Sequence, residues 1–249
     1  YLMPHIHFIL QGKGGVGKSL IAALMMQYQE DNGMPAIAVD TDPVNASFAA
    51  YTAFPTTRLE LLDKHQSLQP RRFDDLMDLI LANEDKDIIV DNGAASFIPL
   101  ASYLVENDVM LMLQDMGRSV VVDTVITGGQ AMMDTLNGLM SLGKNMDVPI
   151  ALWINGYFGE IVSGGKSFEQ MNVYKTVRDK ICGIVQIEKM STLFEDDFRT
   201  MLERHLVFRQ ALEDQSFNLM AKNRLRKIQK NIYGQLDQLQ AAFAMLGAK

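Results

Sequence analysis

The 249-residue chain is poor in the residues that cross-link or ligate: it has one cysteine, Cys182, and four histidines scattered along its length. A single cysteine excludes an internal disulfide framework, and the histidines show no zinc-site spacing. Long apolar runs are missing too. Stretches such as Val109 to Leu113 fall far short of the roughly 20 residues that a membrane span requires. The amino terminus, Tyr1-Leu2-Met3-Pro4, lacks the basic and apolar regions of a secretory signal, so Met3 is the expected natural start and the cytoplasm the expected location. Positive charge is in the minority. The net charge of −7 argues against a surface that coats nucleic acid throughout, although a local basic patch remains compatible with it. Internal repeats, low-complexity tracts and Pro/Gly-rich linkers are absent, so residues 1–249 read as a single domain.

What is present is apolar material for a core, 48% of the residues, arranged in short segments. Strands are expected at His5 to Leu10, Ala36 to Val39, Lys86 to Val90, Val109 to Leu113, Ile150 to Ile154 and Ile184 to Ile187. Between them lie stretches of helical spacing, for example Phe73, Leu76, Met77, Ile80 and Leu81, and Gly33 supplies a helix stop. This alternation predicts a doubly wound α/β fold, a mainly parallel sheet with helices on both faces. Cys182, in an apolar stretch, is expected in the core. Gly156 to Lys166, with four glycines, reads as a long connection, with a mobile functional loop as the alternative. From about 217 to 246 runs a long helical pattern with Leu225, Ile228, Ile232, Leu236, Leu239, Phe243 and Leu246 on one face. It predicts a helix packed on the domain, with a partner-binding helix as the second reading.

The most specific signal is Gly12-Lys13-Gly14-Gly15-Val16-Gly17-Lys18-Ser19, a complete P-loop pattern between a predicted strand and a predicted helix. Glycines are needed because the loop turns its backbone N–H groups inward, where a β-carbon would obstruct turn and phosphate alike. The helix start adds its positive dipole end. Lys18 would neutralise the β- and γ-phosphates of a nucleotide and the Ser19 hydroxyl would ligate Mg²⁺. Lys13 is a second lysine in the loop, one that phosphate binding within a single subunit does not need.

Two acidic motifs follow strands. Asp40-Thr41-Asp42-Pro43 sits at the carboxyl end of the second predicted strand, where an open parallel sheet binds its ligand. Carboxylates there can orient water or hold hydrated Mg²⁺. Asp91-Asn92-Gly93 ends the next strand and brings a carboxylate to the same metal shell. Asp87, at that strand's other end, reads as a solvated charge. Asn155 follows the strand ending at Ile154; its amide could read a nucleotide base edge or serve the turn before Gly156. Lys222, Arg224, Arg226, Lys227 and Lys230 form a basic cluster in the carboxyl-terminal segment. A solvated helix face is the plainer reading, and contact with DNA phosphates or an anionic membrane the other.

With Lys13-Gly14-Gly15-Val16-Gly17-Lys18-Ser19, Val39-Asp40-Thr41-Asp42-Pro43 and Ile89-Val90-Asp91 in this order, the chain resembles the ParA/MinD family of deviant Walker A ATPases. Asn155 takes the place of the family's base-contacting Asn. Further segments, among them Asp91-Asn92-Gly93-Ala94, Thr127-Gly128-Gly129-Gln130-Ala131 and Gly165-Lys166-Ser167-Phe168-Glu169-Gln170-Met171, are similar to ParA-like proteins encoded in the transfer regions of conjugative plasmids. The resemblance implies an ATP-dependent homodimer that acts on a protein of the conjugation machinery, at an apparatus associated with the membrane. It implies that ATP and ADP bind with Mg²⁺, that Lys13 reaches the phosphates of the other subunit, and that Asp42 orients the hydrolytic water. Asp40 and Asp91 would support metal and switch regions. Two departures stand out: Asp91-Asn92-Gly93 replaces the family's Asp-Thr-Pro, and Glu188 follows Ile187 where many relatives carry proline. The first leaves open, beside a slow ATPase switch, a scaffold that hydrolyses little. A P-loop kinase is a third reading, against which Lys13 argues.

Overall fold

The computed structural model describes residues 4–63, 65 and 67–246. Tyr1 to Met3, and with them the expected start, lie outside the described residues, as does the side chain of Leu246. Seven strands form an all-parallel sheet: β1 (His5–Ile9), β2 (Ala36–Asp40), β3 (Thr56–Arg58), β4 (Asp87–Asp91), β5 (Ser119–Thr127), β6 (Ile150–Asn155) and, last in the chain, β9 (Ile181–Ile187). Their order is β3-β2-β4-β1-β5-β6-β9. The short strands β7 (Val162–Ser163) and β8 (Lys166–Ser167) form a separate antiparallel hairpin. The helices are α1 (Lys18–Asp31), α2 (Arg72–Leu81), α3 (Phe97–Glu106), α4 (Val109–Asp115), α5 (Met132–Asn145), α6 (Asn172–Val177), α7 (Thr192–Glu203), α8 (Phe208–Glu213) and α9 (Leu219–Leu246).

Strands buried on both faces need apolar side chains at every position, and the period of two sends alternate residues to opposite cores. Ile9, Ile89, Val121 and Trp153 face α1, α8 and α9, while Phe8, Val90 and Val122 face α2, α3 and α4. The doubly wound architecture is therefore as expected. Helix α9 packs on the sheet through Leu225, Ile228, Ile232, Leu236, Leu239 and Phe243, all buried, as its stripe predicts.

Three local expectations need correction. Val109 to Leu113 is helical, not a strand. Asp108 opens α4 in the left-handed region (φ 48°), and Val109 and Leu113, four residues apart, are the buried positions while Leu111 and Met112 are exposed. The strand that pairs with β1 and β6 lies just beyond, in β-branched Ser119–Thr127. Its Asp123 interrupts the apolar pattern but is buried and satisfied: it accepts hydrogen bonds from Trp153 Nε1 at 2.9 Å and pairs with His7 Nδ1 at 2.8 Å. Asp87 is not solvated; it accepts from the His5 backbone N–H at 2.6 Å and Gln29 Nε2 at 2.7 Å, tying β4 to β1 and α1. Cys182 is half-buried against the α9 core rather than fully inside it. Gly156 to Lys166 holds a 3₁₀ turn at Gly156–Phe158 and the β7–β8 hairpin. That segment crosses Gly128 so closely that a β-carbon there would lie 2.4 Å from the Gly159 carbonyl oxygen, which fixes the need for glycine.

Candidate functional site

The carboxyl ends of β1, β2, β4 and β6 converge on the loop between β1 and α1. Gly15 (φ 74°) and Gly17 (φ 108°) take left-handed conformations that side chains resist, and Gly17 caps α1 at its start. Gly12 lies against the Phe97 ring, where a β-carbon would come within 3.0 Å of Cδ1. Lys18 is buried and its Nζ donates to the Lys13 carbonyl oxygen at 3.0 Å, closing the loop on itself. Burial lowers its pKa, against the pull of Asp91 and Asp42. Lys13 points away from this nest: its Nζ lies 2.7 Å from Asp134 Oδ2 at the start of α5, with both side chains about half exposed.

The sheet register sets Asp40 directly beside Asp91. Both Asp40 oxygens are occupied, one by the Asp42 N–H at 2.9 Å and the other by the Ala49 N–H at 3.0 Å, so this carboxylate shapes its own loop. Asp91 differs. It is buried with Oδ1 lacking any hydrogen-bond partner, and burial pushes its pKa up to about 7, with neighbouring Asp40 and Asp42 adding to the rise and the Ser19 hydroxyl and Lys18 opposing it. A buried carboxylate oxygen without a partner, beside a serine hydroxyl and a lysine, is a fitting place for a cation with its water shell. Asp42 Oδ1 accepts from the N–H groups of Val44 at 2.8 Å and Asn45 at 3.0 Å.

Sequence reasoning missed how the two acidic loops are joined. Buried Asn92 accepts from Thr41 Oγ1 at 3.1 Å and Ser96 Oγ at 2.8 Å, and Thr41 N–H donates to the Asp91 carbonyl at 2.9 Å. Gly93 is pressed on Asp42, whose Cγ would stand 2.6 Å from a β-carbon. Asn-Gly in this position therefore interlocks the loops.

Asn155 is buried and serves the protein on both sides: Nδ2 donates to the Val16 carbonyl at 3.0 Å and Oδ1 accepts from the Tyr157 N–H at 3.1 Å. The turn reading is realised, and the link to the P-loop is added. One N–H of its amide remains for a further acceptor.

Two cavities meet at Gly15, Gly17 and Leu20. One, of about 460 Å³, runs between Lys18, Ser19, Asp42 and Asn45. The other, of about 210 Å³, is walled by Asn155, Tyr157, Phe158, Ile187, Met190 and Phe198. Tyr157 and Phe158 were not singled out in the sequence; two adjacent aromatics after Asn155-Gly156 were the available signal. Glu188 also borders this second cavity. Among the described residues no cluster of three or more His, Cys, Asp or Glu side chains forms a ready metal cage.

The basic residues of α9 do not act as one cluster. Arg224 is committed to Asp197 at 2.5 Å and Lys222 is half-buried, while Arg226, Lys227 and Lys230 are exposed on the helix face. Among the described residues no helix is long and apolar enough to cross a membrane.

The chain matches no protein-family profile. It is 42% identical over 238 residues to the protein TraL of Escherichia coli, covering 94% of this chain and 98% of that one. Among solved structures it is similar to the septum site-determining protein MinD of Pyrococcus horikoshii in complex with Mg-ADP, at 15% identity and a TM-score of 0.53, over 92% of this chain and 96% of that one. It is also similar to the MinC:MinD cell division complex of Aquifex aeolicus, at 14% identity and a TM-score of 0.51, over 93% of this chain and 96% of that one. These structures share the fold of a P-loop NTPase of the ParA/MinD type. By its sequence and its fold, the chain belongs to the TraL family of ParA/MinD-fold proteins.

Proposed function

We propose that residues 1–249 work as one nucleotide-binding unit, an ATP-driven dimerising switch that hydrolyses slowly in plasmid conjugative transfer. The observation that carries this reading is the junction of a cleft lined by Lys18, Ser19 and Asp42 with an apolar, aromatic cavity across Gly15 and Gly17. A nucleoside triphosphate has matching ends, anionic and aromatic. In this reading Lys18 releases the Lys13 carbonyl and takes β- and γ-phosphate oxygens, with the backbone N–H groups of Gly12 to Ser19 around them. Asn155 offers its remaining N–H to the base, and Tyr157 or Phe158 covers the ring. Ser19 and Asp91 would hold Mg²⁺, with Asp40 behind them, and the ion would supply charge neutralisation for the phosphates. Asp42 leaves its loop N–H contacts and orients the hydrolytic water. Lys13, about half exposed, leaves Asp134 in this reading for the phosphates held by a second copy, where a cation acts as an arginine finger does.

The unit is expected in the cytoplasm, recruited to the transfer apparatus by a protein of that machinery. Arg226, Lys227 and Lys230 are the residues free to touch DNA or an anionic surface there. A second reading, a scaffold that binds nucleotide and hydrolyses negligibly, is favoured by the Asn92 and Gly93 interlock, which holds Asp42 in its resting place. Phosphate release measured with excess Mg-ATP separates them. Turnover abolished by Lys18→Ala supports the switch; tight ATP binding without turnover supports the scaffold; no ATP binding removes both.

A further inference from the structure

Among the described residues β9 ends the sheet: it pairs with β6 in parallel and has no strand on its other side. That pairing shifts by one residue between Ile181 and Gly183, which leaves Cys182 as the extra residue of a bulge. Beyond the bulge Val185 and Ile187 enter the core under α9, while Ile184 and Gln186 are exposed. An open edge of this kind carries a row of backbone N–H and C=O groups ready to pair with another strand.

At Gln186 that row is occupied. Gln235 reaches over from α9, accepts from the Gln186 N–H through Oε1 at 2.7 Å and donates to the Gln186 carbonyl through Nε2 at 3.0 Å. A hydrogen-bonded residue pair exchanges the same two bonds in an antiparallel ladder, so one side-chain amide stands in for a neighbouring strand. The same Nε2 donates to Asn231 Oδ1 at 2.9 Å, one turn earlier on α9, which steadies the amide. Ile184, two residues back, turns its backbone groups to the same side as Gln186 and is 39% exposed.

The residues flanking the edge select the strand that fits it. Asp179-Lys180 precedes β9 and Glu188-Lys189 follows it. Two copies paired antiparallel about Ile184 bring Asp179 of each toward Lys189 of the other, and Lys180 toward Glu188, so opposite charges meet at both ends. A parallel pair in register would set like charges together. Asp179, Glu188 and Lys189 are exposed, with Asp179 3.4 Å from Arg178, whereas Lys180 is half-buried on the Met146 carbonyl and Asp147. We propose that the β9 edge is a pairing surface for β9 of a second copy, and that the Gln235 amide holds it shut. This association needs neither nucleotide nor Lys13. In a chain that also pairs over its nucleotide site, an open edge would add a second two-fold contact and link copies into open rows, which the clasp prevents.

The test is sedimentation of the full chain without nucleotide, joined to amide hydrogen exchange in β9. The parent is expected to keep its 27.9 kDa monomer mass. Gln235→Ala should associate about tenfold or more tightly than the parent, since two competing hydrogen bonds are withdrawn, and its Ile184 and Gln186 amides should become protected as concentration rises. Adding Ile184→Lys should restore the monomer. Gln235→Glu keeps the acceptor and loses the donor; it should associate to a smaller degree, and it carries the test if Gln235→Ala does not fold. A folded Gln235→Ala chain that stays monomeric at every concentration, or a dimer that Ile184→Lys leaves intact, would overturn the proposal. If that monomer instead binds a labelled peptide of Ile181 to Lys189, an extended segment of another chain replaces the second copy as occupant.

Discussion

Lys13 and Asp134 form an ion pair within one chain, 2.7 Å from nitrogen to oxygen, that holds the loop's extra lysine on the surface of α5. If Lys13 serves a neighbouring subunit, this pair is what it must leave. Half-exposed pairs contribute about 0–1 kcal/mol, so leaving it costs little. Asp134→Asn should therefore shift the unfolding midpoint by no more than about 4 °C and raise the dimer fraction with ATP at a given protein concentration. Calorimetry and sedimentation read the two effects; an unchanged or smaller dimer fraction would show that the pair restrains nothing.

Gly93 and Asp42 occupy each other's space, and a methyl group at 93 would stand 2.7 Å from Asp42 Oδ1. Gly93→Ala must move the loop that carries Asp42. Displacements of about an ångström in a catalytic group cost on the order of 100-fold, so phosphate release should fall by roughly 10- to 100-fold while affinity for a fluorescent ATP analogue changes by about threefold or less. Equal losses in both would place Asp42 in binding rather than in chemistry.

At the opposite end of the sheet, His5 and His7 lie under Phe243 of α9, with ring centroids 5.0 and 5.3 Å away. Burial, with the charges of His7 and Arg118, lowers the His5 pKa to about 4. The unfolded chain binds a proton below about 6.5 that the folded chain refuses until about 4, so this group's stability contribution is present above 6.5 and lost as pH falls through that window. His7 runs the other way: burial lowers its pKa, but the Asp123 charge and hydrogen bond outweigh it and the net shift is upward. Its contribution is present below 6.5 and lost as pH rises through its folded value. Urea unfolding should show the parent losing up to about 3 kcal/mol more than His5→Asn between pH 6.5 and 4; parallel pH curves would contradict the assignment.

Burial pushes the Cys182 thiol up to about 12, with the Asp123 charge adding to it. Thiolate is the reactive form, so a disulfide reagent at pH 8 should label the native chain about 100-fold more slowly than the chain in urea. Fast labelling of the native chain would mean that α9 lifts from the sheet.

The parts of this structure legible in the sequence are those where one residue type has one job. The P-loop glycines, the α9 stripe and the acids at the ends of β2 and β4 needed no partner to be recognised. The misreadings came where tertiary partners decide. Val109 to Leu113 carries an apolar run that suits a strand or a buried helix, and only the burial of Val109 and Leu113 beneath exposed Leu111 and Met112 distinguishes them. Asp123 breaks the apolar pattern of β5 because its partners, His7 and Trp153, are 116 and 30 residues away. Asp87, placed in solvent by position alone, is held by His5 and Gln29. In the candidate site, Asp134, Asn92 and the aromatic pair after Asn155 act through contacts that spacing does not encode.

In the proposed switch, nucleotide sets the association state through Lys13. Light-scattering mass should be measured with ATP-Mg²⁺, with ADP-Mg²⁺ and without nucleotide, for the parent chain and for Lys13→Ala. The parent should show twice the 27.9 kDa monomer mass with ATP alone, and Lys13→Ala the monomer mass in all three conditions although it still binds ATP. A parent whose mass is indifferent to nucleotide despite demonstrated ATP binding, or a Lys13→Ala chain that dimerises as the parent does, would contradict it.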